Sequence, residues 1–273
     1  MRSRWLPLSL VAAAVGLQAQ VVAFSQDRLP SPDRPWMLAV GDSITAGYTL
    51  DPGFDGAAHT WALQVRDGLT AATGTDWSLY SLACPGETTT SYRTGGCIGR
   101  NMVPALDGRS QRDGVVTAIR QRAATLRLIV VELGTNDYFA ARRRGGDVLA
   151  ALDAAARRLD AVVADLQRLA PGVPVVVADI YDPHGNAVSY LQAVHLDARI
   201  EALTAARGVP VADFLHAVDP ALGPPGSHCR MLDCAHDDIH PTLAGQTALA
   251  RAVLAALPRG PAQPSSFSLP SAA

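Results

Sequence analysis

Residues 36–45 read WMLAVGDSIT, and this stretch decides the fold. Trp36 to Val40 are five apolar residues in a row, the signature of a short strand covered on both faces. The strand runs straight into Gly41-Asp42-Ser43. A glycine there lets the backbone turn sharply, and the residues after Ser43 can open a helix. A serine one step past a buried strand stands where an α/β sheet presents reactive groups to solvent. An ordinary strand-to-helix turn has the same look, so the rest of the chain has to choose between the two.

Working outward, His59 to Thr73 carries Trp61, Leu63, Val65 and Leu69 and reads as a helix stopped by Gly74. Trp77 to Ala83 is a second strand that ends at Cys84-Pro85-Gly86. Residues 87–110, rich in Thr, Gly and Arg, read as a long loop. Leu126 to Leu133 is a third, almost wholly apolar strand. The clearest helix follows: Val148, Leu152, Ala155, Leu159, Val162, Leu166 and Leu169 recur at steps of three and four. Pro171-Gly172 stops it. Val173 to Ile180 is a fourth strand, residues 189–207 another helix, and Val209 to Phe214 a fifth strand. Pro241 is placed as the first residue of a final helix that reaches Leu257. Strands alternating with helices predict a three-layer α/β/α sandwich around a five-stranded parallel sheet, flavodoxin-like in kind, as one domain over 36–258.

Composition narrows the function. Of 273 residues 48% are hydrophobic and 18% charged, and net charge is -2, with no long basic run. Nucleic acid is therefore not the expected partner. All 23 cationic side chains are arginine. Without lysine there is no Schiff-base chemistry and no phosphate-loop lysine. Arg2 and Arg4, the apolar run Leu6 to Leu17 and the small residues at Val21-Val22-Ala23 have the pattern of a cleaved export signal over 1–23. Gln18 and Gln20 cut the run before it could span a bilayer. Residues 24–35 read as a polar, proline-rich linker, and 259–273 as a loose Pro/Ser/Ala tail. The four cysteines fall into two close pairs, Cys84 with Cys97 and Cys229 with Cys234. In an exported chain that suggests two local disulfides, although four cysteines allow three pairings. A Cys84–Cys97 bridge would contribute about 3 kcal/mol of chain entropy.

In a doubly wound sheet, functional groups gather beyond the C-terminal strand ends. The first such end carries Gly41-Asp42-Ser43, the second Gly86-Glu87, the third Gly134-Thr135-Asn136-Asp137. The loop before the last helix adds Asp237-Asp238-Ile239-His240. Each block alone could be turn chemistry. Their order along the chain is what makes them informative together.

In these four blocks the sequence resembles the SGNH, or GDSL-type, hydrolases, a family of esterases and lipases, over roughly residues 36–258. The resemblance implies Ser43 as nucleophile, His240 as base and Asp237 as the carboxylate orienting it. It implies an oxyanion hole of the Ser43 and Gly86 amides with the Asn136 side chain. The residue types suit that chemistry. A serine hydroxyl attacks only when a histidine takes its proton, and a carboxylate holds the imidazole in the right tautomer. Asp237 stands three residues from His240, so one helical turn would set them side by side. Asp238 competes for the same role.

The expected activity is that of an exported, cofactor-free serine esterase or lipase, a monomer acting on small-molecule or lipid esters and touching a lipid surface transiently. A carbohydrate O-deacetylase using the same residues and a secreted, non-catalytic binding module are the alternatives. Position 45 is threonine, so the Gly-x-Ser-x-Gly elbow of another hydrolase fold is missing. A zinc site is the sharpest rival chemistry, because His228, Cys229, Cys234, His236 and His240 crowd together. Export favours a disulfide for that cysteine pair, and no metal is expected. Arg142-Arg143-Arg144 reads as a solvated turn or as a contact for an anionic substrate. Tyr138 and Tyr181, just past the third and fourth strands, are candidate walls of an acyl pocket.

Overall fold

A computed structural model describes residues 29–99, 103, 106, 108–219, 224 and 226–257. The expected export signal and C-terminal tail lie outside the described residues, as does the first part of the expected linker. In chain order the elements are β1 (Trp36–Gly41), α1 (Ser43–Ala46), α2 (Trp61–Thr73), β2 (Ser78–Ser81), α3 (Ser91–Thr94), α4 (Gln111–Arg122), β3 (Leu126–Glu132), α5 (Thr135–Arg144), α6 (Val148–Leu169), β4 (Val175–Ala178), α7 (Ala187–Ala205), β5 (Val211–Ala212), α8 (Phe214–Val218) and α9 (Leu243–Ala256). The five strands form one sheet in the order β2-β1-β3-β4-β5, and every pairing is parallel.

β1 shows why the sheet needs helices on both faces. Its side chains alternate between two cores, as strand geometry requires. Trp36, Leu38 and Val40 point into a cluster with Val115, Leu159, Val163 and Leu196 from α4, α6 and α7. Met37 and Ala39 point the other way, onto Trp61 and Val65 of α2 and Leu249 and Val253 of α9. β3 divides in the same manner, with Ile129 and Val131 on one side and Leu128 and Val130 on the other. Strands apolar at nearly every position are the consequence.

The helices begin where side chains can take up free amides. Thr60 caps α2 by accepting from the Leu63 amide, Ser110 caps α4 through Asp113, and Asp147 caps α6 through Ala150. Gly74 ends α2 in the left-handed region at φ 65°, as the sequence leads one to expect.

Several expectations are corrected. The last helix starts at Leu243 behind a Thr242 cap, so Pro241 sits outside it and pairs with Leu232 in an isolated antiparallel bridge. Residues 87–110, read as loop, contain the short helix α3, and α4 and α5 follow where no helix was expected. The end of the expected linker is anchored: Leu29 packs on the core, and the Arg122 guanidinium donates to the Pro30 carbonyl at 3.1 Å.

Candidate active site

The C-terminal edge of the sheet brings the four blocks together. Gly41 ends β1 in a space that admits no side chain. A Cβ there would stand 2.1 Å from Thr45 Oγ1 and 3.0 Å from the Glu132 carbonyl oxygen. The chain turns at Asp42, whose carboxylate accepts from the Ile44 amide at 2.9 Å and opens α1. Ser43 is the first helical residue.

The loop before α9 faces it. The Leu232–Pro241 bridge and a bond from the Asp233 amide to the His240 carbonyl (3.0 Å) close a tight turn. Tyr181 donates its hydroxyl proton to the Ile239 carbonyl at 2.9 Å and steadies the same turn. His240 thereby sets Nε2 2.9 Å from Ser43 Oγ and Nδ1 2.5 Å from Asp238 Oδ1. Ser43, His240 and Asp238 form one unbroken hydrogen-bonded chain. Tyr48 lies tilted over the imidazole with ring centres 4.9 Å apart.

Asp237, the carboxylate implied by the resemblance, is not the one against His240. The segment is a turn rather than a helix, so the three-residue spacing brings nothing side by side. Asp237 adopts φ 52° at the end of a short 3-10 turn and points to solvent. Asp238 reaches His240 instead by folding over two residues, accepting from the His240 amide as well as its ring. Burial works to raise the Asp238 carboxyl. The hydrogen bond and charge of His240 and the Leu50 amide (2.8 Å) oppose it and hold the group below the ordinary aspartate value.

Gly86 and Asn136 belong to the two segments tied to the turn that carries Ser43. The segment carrying Gly86 runs beside the end of β1: the Cys84 amide donates to the Gly41 carbonyl at 3.0 Å. Gln111 of α4, fully buried, donates to the carbonyls of Gly41 (2.8 Å) and Leu82 (2.7 Å) and ties the two strand ends. Gly86 sits at φ 79°, a region that favours glycine, and a Cβ on it would crowd Ile98 at 3.0 Å. Asn136, in the first turn of α5, donates from Nδ2 to Asp42 Oδ2 at 2.8 Å. A carboxamide nitrogen carries two hydrogens, so one remains for a ligand.

Beneath the nucleophile lies a feature that the sequence reading missed. Glu132, the last residue of β3, is buried and accepts from the Thr45 hydroxyl (2.9 Å) and the Asp42 amide (3.4 Å). Burial and the Glu132 charge push the neighbouring Asp42 carboxyl well up, and burial raises Glu132 too. Two such groups hold a proton between them more readily than two charges. The signal was available: one carboxylate inside LRLIVVEL has no reason to be there unless something binds it.

Glu87, next to Gly86, is another buried acid. Burial lifts its carboxyl to about 7, against which the Ser91 hydroxyl and Thr88 amide pull down. Unfolded, Glu87 releases its proton near pH 4.5; folded, it keeps the proton to about 7. Its contribution to stability is therefore lost as pH climbs through that window. Glu87→Gln keeps the neutral shape at every pH. We expect the variant to exceed the parent by about 1–3 kcal/mol at pH 8 and to match it at pH 4, by urea unfolding.

Both disulfides join the close pairs, Cys84–Cys97 and Cys229–Cys234. Of the residues weighed as zinc ligands, Cys229 and Cys234 are joined to each other as a disulfide. His236 pairs with Asp233 at 2.8 Å and His240 with Ser43, while His228 lies beside the Cys229–Cys234 sulfurs, 3.8 and 3.6 Å from Nε2. Tyr138 and Tyr181, the candidate walls of an acyl pocket, are buried core residues. Arg142-Arg143-Arg144 form the exposed last turn of α5, where cations suit the helix end, and Arg142 donates to the Tyr138 hydroxyl at 2.6 Å.

A family model for the GDSL-like lipase/acylhydrolase family matches residues 39–248. Among solved structures, a lipase from a goat rumen metagenome superposes with a TM-score of 0.60 at 14% identity, covering 81% of this chain and 97% of its own. An acetylxylan esterase from Geobacillus stearothermophilus gives 0.56 at 18% identity, with 81% and 93% covered. A putative GDSL-like lipase from Parabacteroides merdae gives 0.55 at 17%, with 85% and 98% covered. No curated protein matches the sequence closely enough to be named a relative. These structures share the fold.

Proposed function

Since the chain belongs to the GDSL-like lipase/acylhydrolase family and so to the carboxylic ester hydrolases, we propose that it hydrolyses esters through an acyl-Ser43 intermediate. The observation that carries this reading is the hydrogen-bonded chain from Ser43 Oγ through His240 to Asp238. His240 Nε2 takes the hydroxyl proton as Oγ attacks the ester carbonyl. Asp238 fixes the proton on Nδ1 and stabilises the imidazolium that forms. The oxyanion is received by the Ser43 and Gly86 amides and by the second hydrogen of Asn136. Collapse of the intermediate expels the alcohol, to which His240 returns the proton. Water then repeats the cycle on the acyl-enzyme.

Two exposed aliphatic residues adjoin residues of this site. Ile98 is 88% exposed although it lies against Gly86, and Leu50, whose amide binds Asp238, is 50% exposed. Apolar surface left open beside a reaction centre suits an aliphatic chain better than a sugar. We therefore assign the enzyme to esters of aliphatic acids longer than acetate. It would work as an exported monomer, with transient contact to lipid surfaces. The two disulfides support an oxidising compartment. Among the described residues no helix is long and apolar enough to cross a membrane.

A p-nitrophenyl ester series from acetate to decanoate tests the reading. We expect kcat/KM to rise at least about tenfold between acetate and hexanoate or octanoate, as a few buried methylenes would give. Turnover of acetate alone would favour a deacetylase, and no turnover of any ester would favour a binding module.

A further inference from the structure

Gly86 and Asn136 sit on separate segments, and an oxyanion hole built from both works only if their separation is fixed before charge develops. The Cys84–Cys97 bridge holds one end of the Gly86 segment. Three side chains outside the Ser43–His240–Asp238 chain hold the other end. Thr89 lies three residues beyond Gly86, Asp137 directly follows Asn136, and Arg158 is on α6. Asp137 Oδ2 accepts the Thr89 amide at 2.8 Å, and Oδ1 accepts the Thr89 hydroxyl at 2.8 Å. The Arg158 guanidinium closes the network, donating from Nη2 to Asp137 Oδ1 and from Nε to Thr89 Oγ1, both at 2.9 Å.

From this closed network we infer that Thr89, Asp137 and Arg158 form a clamp that sets the spacing of the two oxyanion donors. The inference rests on the oxyanion roles proposed above. The chemistry suits a rigid tie. Asp137 and Thr89 are nearly inaccessible to water, whereas the Arg158 side chain is 41% exposed. The buried carboxylate is satisfied by three donors, while its counter-ion keeps part of its hydration. The threonine hydroxyl both donates and accepts, so it cannot turn without breaking a bond on each side. A bond to the Thr89 main chain also acts on backbone, which moves the Gly86 amide more directly than a side-chain contact would. All three are positioning residues.

The test separates hydroxyl from volume. Thr89→Val preserves shape and loses both hydroxyl bonds, and Thr89→Ser keeps them. With p-nitrophenyl butyrate, Thr89→Val should lower kcat about tenfold or more with KM within about twofold, since the oxyanion is absent from the ground state. Thr89→Ser should return kcat to within about threefold of the parent. An aryl boronic acid, which forms a tetrahedral adduct on the serine, should bind Thr89→Val more weakly by a similar factor. Arg158→Met should resemble Thr89→Val. Asp137→Asn is left aside because its loss can unfold the region. Unchanged kcat in Thr89→Val, or equal losses in the valine and serine variants, would overturn the clamp. If the parent hydrolyses no ester, the ester-hydrolase reading itself has failed. A parent active through Ser43 with an indifferent Thr89 would defeat the clamp alone.

Discussion

Ser43→Ala is expected to reduce ester turnover by about ten-thousand-fold or more, the loss typical when a nucleophile of this kind is removed. The substitution deletes one oxygen and leaves β1, Gly41 and the Asp42 cap of α1 untouched, so the fold has no reason to change. Its cost falls on His240, whose Nε2 loses the partner at 2.9 Å. That is a lost hydrogen bond at a partly open site, about 1 kcal/mol. The melting temperature should therefore stay within a few degrees of the parent while kcat collapses. A fluorophosphonate probe should label the parent at Ser43 and leave the alanine variant unlabelled. Peptide mapping decides the point: label on another residue, or more than a tenth of the turnover retained, would remove Ser43 from its role.

How far the sequence could be read depended on how local the physics was. β1 and β3 were visible because strands covered on both faces are apolar at nearly every position, and α6 because its apolar stripe runs for 22 residues. α4 and α5 were not. α4 carries three arginines, and its buried residues include Gln111 and Gly114, so its inner face does not look apolar. α5 reads Thr-Asn-Asp-Tyr before three arginines, and its Asp137 is buried because Thr89 and Arg158, distant in the chain, satisfy it. Ser43 and Asn136 stood out because their blocks follow strand ends, and His240 because its block stands before the last helix, all in the right order. The partners that make those blocks work lie far off in sequence. Glu132 is 90 residues from Asp42 and Arg158 is 69 from Thr89, and no periodicity announces such contacts. Asp237 was misread for a local reason: a spacing of three implies adjacency only on a helix, and residues 237–240 are a turn.

That misreading yields the sharpest comparison in the molecule, two neighbouring aspartates with opposite expected outcomes. Asp238→Asn should lower kcat by about a thousandfold to ten-thousandfold. Asparagine can donate where aspartate only accepts, so the amide beside Nδ1 can favour the tautomer with its proton on Nε2. Ser43 then faces a nitrogen that cannot take its proton. The amide also gives up the charge that stabilises the imidazolium. Asp237→Asn should stay within about threefold of the parent, because that side chain is exposed and outside the hydrogen-bonded chain. pH supplies a control. The Asp238 carboxyl lies below the ordinary aspartate value, held there by His240 and the Leu50 amide against burial, so it remains ionised down to the acid limit of an ester assay. Lowering the pH to 5 cannot mimic the asparagine variant through Asp238. The stability that its ionised form contributes is complete above the unfolded value near 3.9 and is lost only as pH falls through the lower folded one. Parallel kcat and KM measurements on the two variants, with melting temperatures alongside, separate catalytic loss from unfolding. Equal losses, or a larger one at Asp237, would mean that His240 works with a different carboxylate from the one it touches at 2.5 Å.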